Sequence, residues 1–209
     1  MTTPRGNETR ERIVQAAAEL FHLHGYYHTS VDAILQRAAV KKGNLYFHFR
    51  TKDEIGYAVV ESFAAEFSRL FAATTTTQTT LREQIHAFFG AMEQYHTDNQ
   101  FQGGCPFGNL ALEMGNNHPG IAAHVDTVFR YFEGQIIRLV EAAKERHEVR
   151  REVDSEQLAQ FILSTFEGAT LITKVRKEIT VFHNCRELLD ALRGVFVGPQ
   201  HKRIITLRG

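Results

Sequence analysis

Apolar residues recur at helical spacing along most of this chain, and nowhere do they show the sustained alternation of a half-buried strand. Ile13, Ala16, Ala17, Leu20 and Phe21 fall at i, i+3, i+4, i+7 and i+8, one stripe on one helix that Gly25 stops, with His22 and His24 in its last turn. Short helices follow from Val31 to Ala38, capped by Thr29 or Ser30, and from Lys42 through Phe49. Thr51 caps a longer one reaching about Ala73, with Ile55, Val59, Phe63, Phe67 and Leu70 on its inner face. Beyond the threonine-rich connector 74–80, helices are expected from Leu81 to Thr97, Pro106 to Gly115, Pro119 to Glu148, Ser155 to Lys177 and Asn184 to Val197. The pattern predicts an all-α fold of nine helices.

Composition narrows the function. With 209 residues, 43% hydrophobic and 23% charged, the chain is an ordinary globular one. Its 24 Lys and Arg balance 24 Asp and Glu, so net charge selects no partner. The distribution does: from Ala33 to Lys52 there is no acid, while Arg37, Lys41, Lys42, Arg50 and Lys52 are all present. A basic run in a neutral protein is the footprint of a polyanion site. The N-terminus has no apolar run of signal-peptide length, and the best candidate span, Gln157 to Thr173, is broken by Glu167 and Gly168. A soluble, cytoplasmic protein is expected. Cys105 and Cys185 have no metal-ligand spacing, and His22 and His24 point about 200° apart on a helix, so neither metal nor cofactor is expected.

Three short N-terminal helices, the second and third separated by a few residues, suit a helix-turn-helix whose third element enters the major groove of DNA. Lys41 and Lys42 supply charge for phosphate, and Gly43 permits close backbone approach. Asn44 can pair with a base edge, while Tyr46 and His48 offer a hydroxyl and an imidazole. Leu45 and Phe49 read as core.

The segments Gly25-Tyr26-Tyr27-His28-Thr29-Ser30-Val31-Asp32-Ala33-Ile34 and Ala39-Val40-Lys41-Lys42-Gly43-Asn44-Leu45-Tyr46-Phe47-His48-Phe49-Arg50-Thr51-Lys52-Asp53-Glu54 resemble the DNA-binding signature of TetR-family transcriptional regulators. The resemblance covers about the first 55 residues; Leu35-Gln36 and Asp53 depart from the family pattern. It implies that Thr29 or Ser30 caps the second helix against a phosphate. It implies also that Lys42, Gly43, Asn44, Tyr46 and His48 face the groove, and that Lys52 anchors the fourth helix to phosphate. The implied organisation is a DNA-binding head at 1–52, an effector-binding and dimerisation domain at 53–198 (53–73 being the connecting helix), and a basic tail at 199–209. The partners implied are a double-stranded operator, a second copy of the chain and a small-molecule effector, with no membrane.

The dimer face is expected on the eighth and ninth helices, at Leu158, Ile162, Thr165, Gly168, Ala169, Ile172, Leu188 and Leu192, with Gly168 and Ala169 permitting close helix approach. An effector pocket is expected among Phe67, Phe89, Phe107, Phe129 and Phe132, with Cys105, Asn109, Glu113, Glu133 and Glu167 as polar candidates beside His124 and Tyr131. Cys105 stands at a helix start between glycines, where the dipole favours a thiolate, and a Gly-Cys step there resembles family members that sense electrophiles. The regulator is thus read as a repressor released by an apolar, aromatic or thiol-reactive effector. The alternatives are an enzyme with Cys105 as nucleophile and His96, His118 or His124 as base, and a non-specific architectural DNA binder.

Overall fold

The computed structural model describes residues 4–76 and 79–191, and among them it contains nine helices and no strand. These are α1 (Pro4–His24), α2 (Val31–Ala38), α3 (Lys42–His48), α4 (Lys52–Thr74), α5 (Leu81–Asp98), α6 (Pro106–Met114), α7 (Pro119–Glu145), α8 (Ser155–Arg176) and α9 (Thr180–Ala191). Most starts are capped as local chemistry requires. Ser30 accepts from the Ala33 amide, Thr51 from Glu54, Asp154 from Glu156 and Gln157, and Thr80 forms a reciprocal box with Glu83.

The head is α1 packed on α2, α3 and the start of α4 around Ile13, Ala17, Phe21, Ile34, Leu45, Phe49 and Ile55. The long α4 leaves the head and continues into the body, where it packs on α5 and α7; α7 packs on α8, and α9 closes over α8 and α5. Two boundaries differ from the sequence reading. α7 ends at Glu145, because His147 takes a left-handed φ of 59° and Glu148 turns back to accept from the Leu81 amide at 2.8 Å. α9 starts at Thr180 rather than Asn184, which carries Phe182 fully inside against Phe89, His96 and Phe166. Leu192 and the tail 199–209 lie outside the described residues. Among the described residues no helix is long and apolar enough to cross a membrane, and no group of three metal-ligating side chains comes together.

Candidate nucleic-acid interface and effector cavity

On α3, Leu45 is the inward anchor, and Phe49 just beyond the helix is buried as well. Lys41, Lys42, Gly43, Asn44 and Tyr46 are all exposed, with His48 half-buried. Nothing lies within 4 Å of where a Cβ at Gly43 would stand, so its backbone is open to close approach. Phe47 was not among the residues expected to face DNA, yet it is 77% exposed and leans edge-on against His48 at 5.0 Å. A phenyl ring on this face can pack on a thymine methyl. The signal was available, since Phe47 stands two positions from the inward Leu45 and so about 200° round the helix from it.

Several expected phosphate contacts are engaged in holding the fold. Thr29 is buried, and its hydroxyl donates to the Gly25 carbonyl at 2.8 Å, so the exposed cap Ser30 alone keeps a hydroxyl at the surface. Arg37 is held by Glu19 in a bidentate pair at 2.7 and 2.8 Å, so an acid from α1 offsets the charge that looked free in the linear sequence. Lys52 donates to the Tyr26 carbonyl at 2.6 Å, with its ammonium 4.2 Å over the Tyr26 ring. That ties the start of α4 to the turn between α1 and α2, where the resemblance implied a phosphate anchor.

Lys52 belongs to a polar joint between head and body. Glu113 of α6, expected in the effector pocket, instead accepts from the backbone amides of Tyr26 and Tyr27 at 2.8 and 2.7 Å. Gly25 makes this possible: its φ is +85°, and a Cβ there would stand 2.9 Å from a Glu113 oxygen. Asp53 accepts from the Tyr26 hydroxyl at 2.5 Å and lies 3.1 Å from His118 Nε2; the two hydrogen bonds lower its pKa. His118 Nδ1 accepts from the Ile121 amide as the cap of α7, which leaves Nε2–H to donate to Asp53.

Above the joint, Phe67, Phe71, Phe88, Phe89, Phe107, Phe129, Phe132 and Phe166 surround a cavity, together with Cys105 and Glu167. The free space among the rings is only about 50 Å³, so a ligand of any size has to part them. Asn109 lies outside this cavity, with its amide donating to Gly103 and its carbonyl accepting from Lys174. Glu133 lines neither this cavity nor its neighbour. Tyr131 is on the surface, and His124 stands edge-on to Tyr57 near Glu61.

The reading of Cys105 as an accessible thiolate is overturned. Gly103 and Gly104 are buried, Cys105 is 7% exposed, and burial with the adjacent Glu167 pushes its thiol well above the ordinary range. The same burial raises the Glu167 pKa to about 7. The glycines admit close packing: a Cβ at Gly103 would collide with the His22 ring. The histidines considered as bases are engaged elsewhere, His96 against Phe182, His118 with Asp53 and His124 against Tyr57.

On α8 the expected dimer residues divide. Leu158, Ile162 and Ala169 are buried in the chain's own core, whereas Thr165 and Gly168 are half-covered and Ile172, like Leu188 on α9, is exposed. The outward stripe runs through Phe161, Gly168, Leu171, Ile172 and Val175, the last 74% exposed. Val175 was missed although its helical spacing from Leu171 and Ile172 was available as a signal.

The comparisons agree with this architecture. Residues 13–59 match the family model of bacterial regulatory proteins, tetR family, and residues 82–189 match the tetracyclin repressor-like C-terminal domain. The transcriptional regulator AcuR of Cereibacter sphaeroides is 27% identical over 182 residues, spanning 87% of this chain and 83% of that protein. The HTH-type transcriptional repressor DhaR of a Mycobacterium species is 24% identical over 169 residues, 80% of this chain and 83% of the relative. A TetR transcriptional regulator from Chloroflexus aurantiacus superposes with a TM-score of 0.82 at 31% identity, covering 91% of this chain and 96% of the other. Helix-turn-helix head, helical body and both family matches together make this chain a DNA-binding transcriptional regulator of the TetR family.

Proposed function

We propose that the chain is a homodimeric repressor that leaves a pseudo-palindromic operator when a small apolar or aromatic effector enters the phenylalanine cavity. The observation that carries this reading is the course of α4. It begins at the head, where Lys52 and Asp53 bond to Tyr26, and its far half supplies Phe67 and Phe71 to the cavity. Because the rings leave so little free space, an effector displaces them, and a displaced helix end moves the head at the other. α6 offers a parallel route, with Phe107 in the cavity wall and Glu113 on the head's turn.

A two-fold protein mirrors its site, so the operator is a repeat with half-sites about 34 Å apart. Its release needs only a change in the spacing of two α3 helices. The groove face is Lys41, Lys42, Gly43, Asn44, Tyr46 and Phe47, with Ser30 on phosphate. The buried, protonated state of Cys105 favours a noncovalent effector over an electrophile. A contiguous aromatic cavity has no use in a purely architectural DNA binder.

The test is fluorescence anisotropy on the DNA upstream of the chain's own gene, with random competitor and a panel of small aromatic compounds. Selective binding that one class of compound reverses, in wild type and Cys105→Ser alike, is the expected result. Equal affinity for random DNA would overturn the repressor reading. Release confined to thiol-reactive compounds and lost in Cys105→Ser would restore the thiol.

A further inference from the structure

Beyond the Cys105–Glu167 wall, between α6 and α8, lies a second cavity of different character. Its free space is about 280 Å³, several times that among the phenyl rings, so a small molecule can enter without parting them. Leu112, Phe129 and Leu171 form an apolar side, and Asn109, Thr170 and Lys174 a polar end.

The polar end is built and incompletely partnered. The Lys174 stem lies over Gly104, where a Cβ would stand 2.9 Å from its Cδ. Its ammonium donates to Asn109 Oδ1 at 2.9 Å, and Asn109 is itself fixed by donating to the Gly103 carbonyl at 2.6 Å. No carboxylate pairs with Lys174 among the described residues, and both burial and the nearby Lys177 work against its charge. One turn earlier on α8, Thr170 is 1% exposed and its hydroxyl has no hydrogen-bond partner among the described residues. A half-buried cation without a counterion beside a buried orphan hydroxyl is a set of donors waiting for an acceptor.

We propose that this cavity binds a small amphipathic monocarboxylate, its carboxylate accepting from the Lys174 ammonium and the Thr170 hydroxyl and its hydrocarbon lying along Leu112, Phe129 and Leu171. Charge counting selects the class. One ammonium balances one carboxylate, whereas a phosphate dianion would leave a negative charge against Glu167, and an amine would meet Lys174 directly. Gly168 also borders the cavity and belongs, with Leu171, to the outward stripe of α8, so a second copy docked there would roof the bound molecule. The site is separate from the aromatic cavity, and its occupation is measured as binding, independently of any effect on DNA.

The probes are hexanoate and its uncharged counterpart hexanamide, titrated calorimetrically into the full-length protein. We expect saturable binding of hexanoate and none of hexanamide at the same concentrations. Lys174→Gln should weaken hexanoate by about thirtyfold or more, since it removes the charge partner, while Lys174→Arg retains most of the affinity. Leu112→Glu keeps the test decisive should Lys174→Gln fold poorly. Leu112 is 75% exposed, so this variant folds, and its carboxylate at the mouth repels the ligand. Absence of hexanoate binding up to about 10 mM, a range that includes even weak ligands, overturns the proposal. So does hexanamide binding as tightly as hexanoate, or hexanoate affinity unchanged in Lys174→Gln or in Leu112→Glu.

Discussion

Glu167 is half-buried next to a thiol, no cation among the described residues holds its charge, and the raised pKa of about 7 follows from desolvation. The sign of its effect on stability is fixed by that direction. Between its ordinary value of 4.5 and about 7 the folded chain holds a proton that the unfolded chain has lost. Its contribution to stability is therefore intact below about pH 4.5 and declines as pH rises through 7, by at most about 3 kcal/mol. Glu167→Gln removes the ionisation while keeping the shape. Its melting temperature, relative to wild type, should be higher at pH 8 than at pH 5; the same difference at both would mean that the carboxyl ionises freely. On α3 the side chains should separate by what they touch on DNA. Lys42→Ala is expected to weaken specific and random DNA alike, because a phosphate contact carries no sequence information. Asn44→Ala and Phe47→Ala should instead narrow the gap between the two, by about 1–3 kcal/mol for each base-edge interaction removed. Competition binding separates the outcomes, and unchanged operator affinity in all three variants would remove α3 from the interface.

Among the elements, α8 carries most of the ambiguity, because it is apolar on two faces. Leu158, Ile162, Phe166 and Ala169 turn inward, while Phe161, Gly168, Ile172 and Val175 turn out. A helix that buries one stripe in its own chain and shows another to water has an unmatched face, the usual mark of an interface. Gly168 offers a clean probe, since nothing lies within 4 Å of its missing Cβ. Gly168→Arg fits the single chain and places a charge in the middle of the outward stripe. We expect it to sediment as a folded species of about 23.8 kDa with near-wild-type helix content by circular dichroism. If it sediments as a dimer, the outward face of α8 is not where two copies meet.

At the scale of the whole molecule, head and body are joined by α4 and by the Glu113 carboxylate, which accepts from two consecutive backbone amides of the head. A charged acceptor on a backbone amide forms a stronger bond than a neutral one. Glu113→Gln keeps the size but loses the charge, and it brings donors toward amides that need acceptors. Hydrogen exchange at Tyr26 and Tyr27 should accelerate by about tenfold or more in the variant, corresponding to loss of roughly 1.4 kcal/mol of local protection. Effector binding to the body should persist while operator release weakens, since tenfold release corresponds to a coupling of about 1.4 kcal/mol between the two sites. Unchanged exchange at these amides would show that the clamp contributes nothing to the joint.

Local chemistry was enough to establish which segments are helical and where most of them begin. Caps at Ser30, Thr51, Thr80 and Asp154, and the spacing of Ile13, Ala17 and Phe21, act within a turn or two of themselves. The exposed group Lys41, Lys42, Gly43, Asn44 and Tyr46 was legible for the same reason: a short helix anchored by Leu45 has to turn those residues outward. What the sequence could not decide were partnerships between residues far apart in the chain. Glu113 looked like a pocket acid until it met amides 86 and 87 positions away. Arg37 looked like a free cation until Glu19 of the neighbouring helix neutralised it. Cys105 looked reactive by its place at a helix start, but the fold buried it against Glu167, and desolvation outweighed the dipole. On α8 both stripes obey the same period, and only the packing of α7 and α9 chose which became core. Capping and periodicity are local interactions and are written in short stretches of chain; burial and charge pairing depend on what the rest of the chain brings alongside, and that exists only once it has folded.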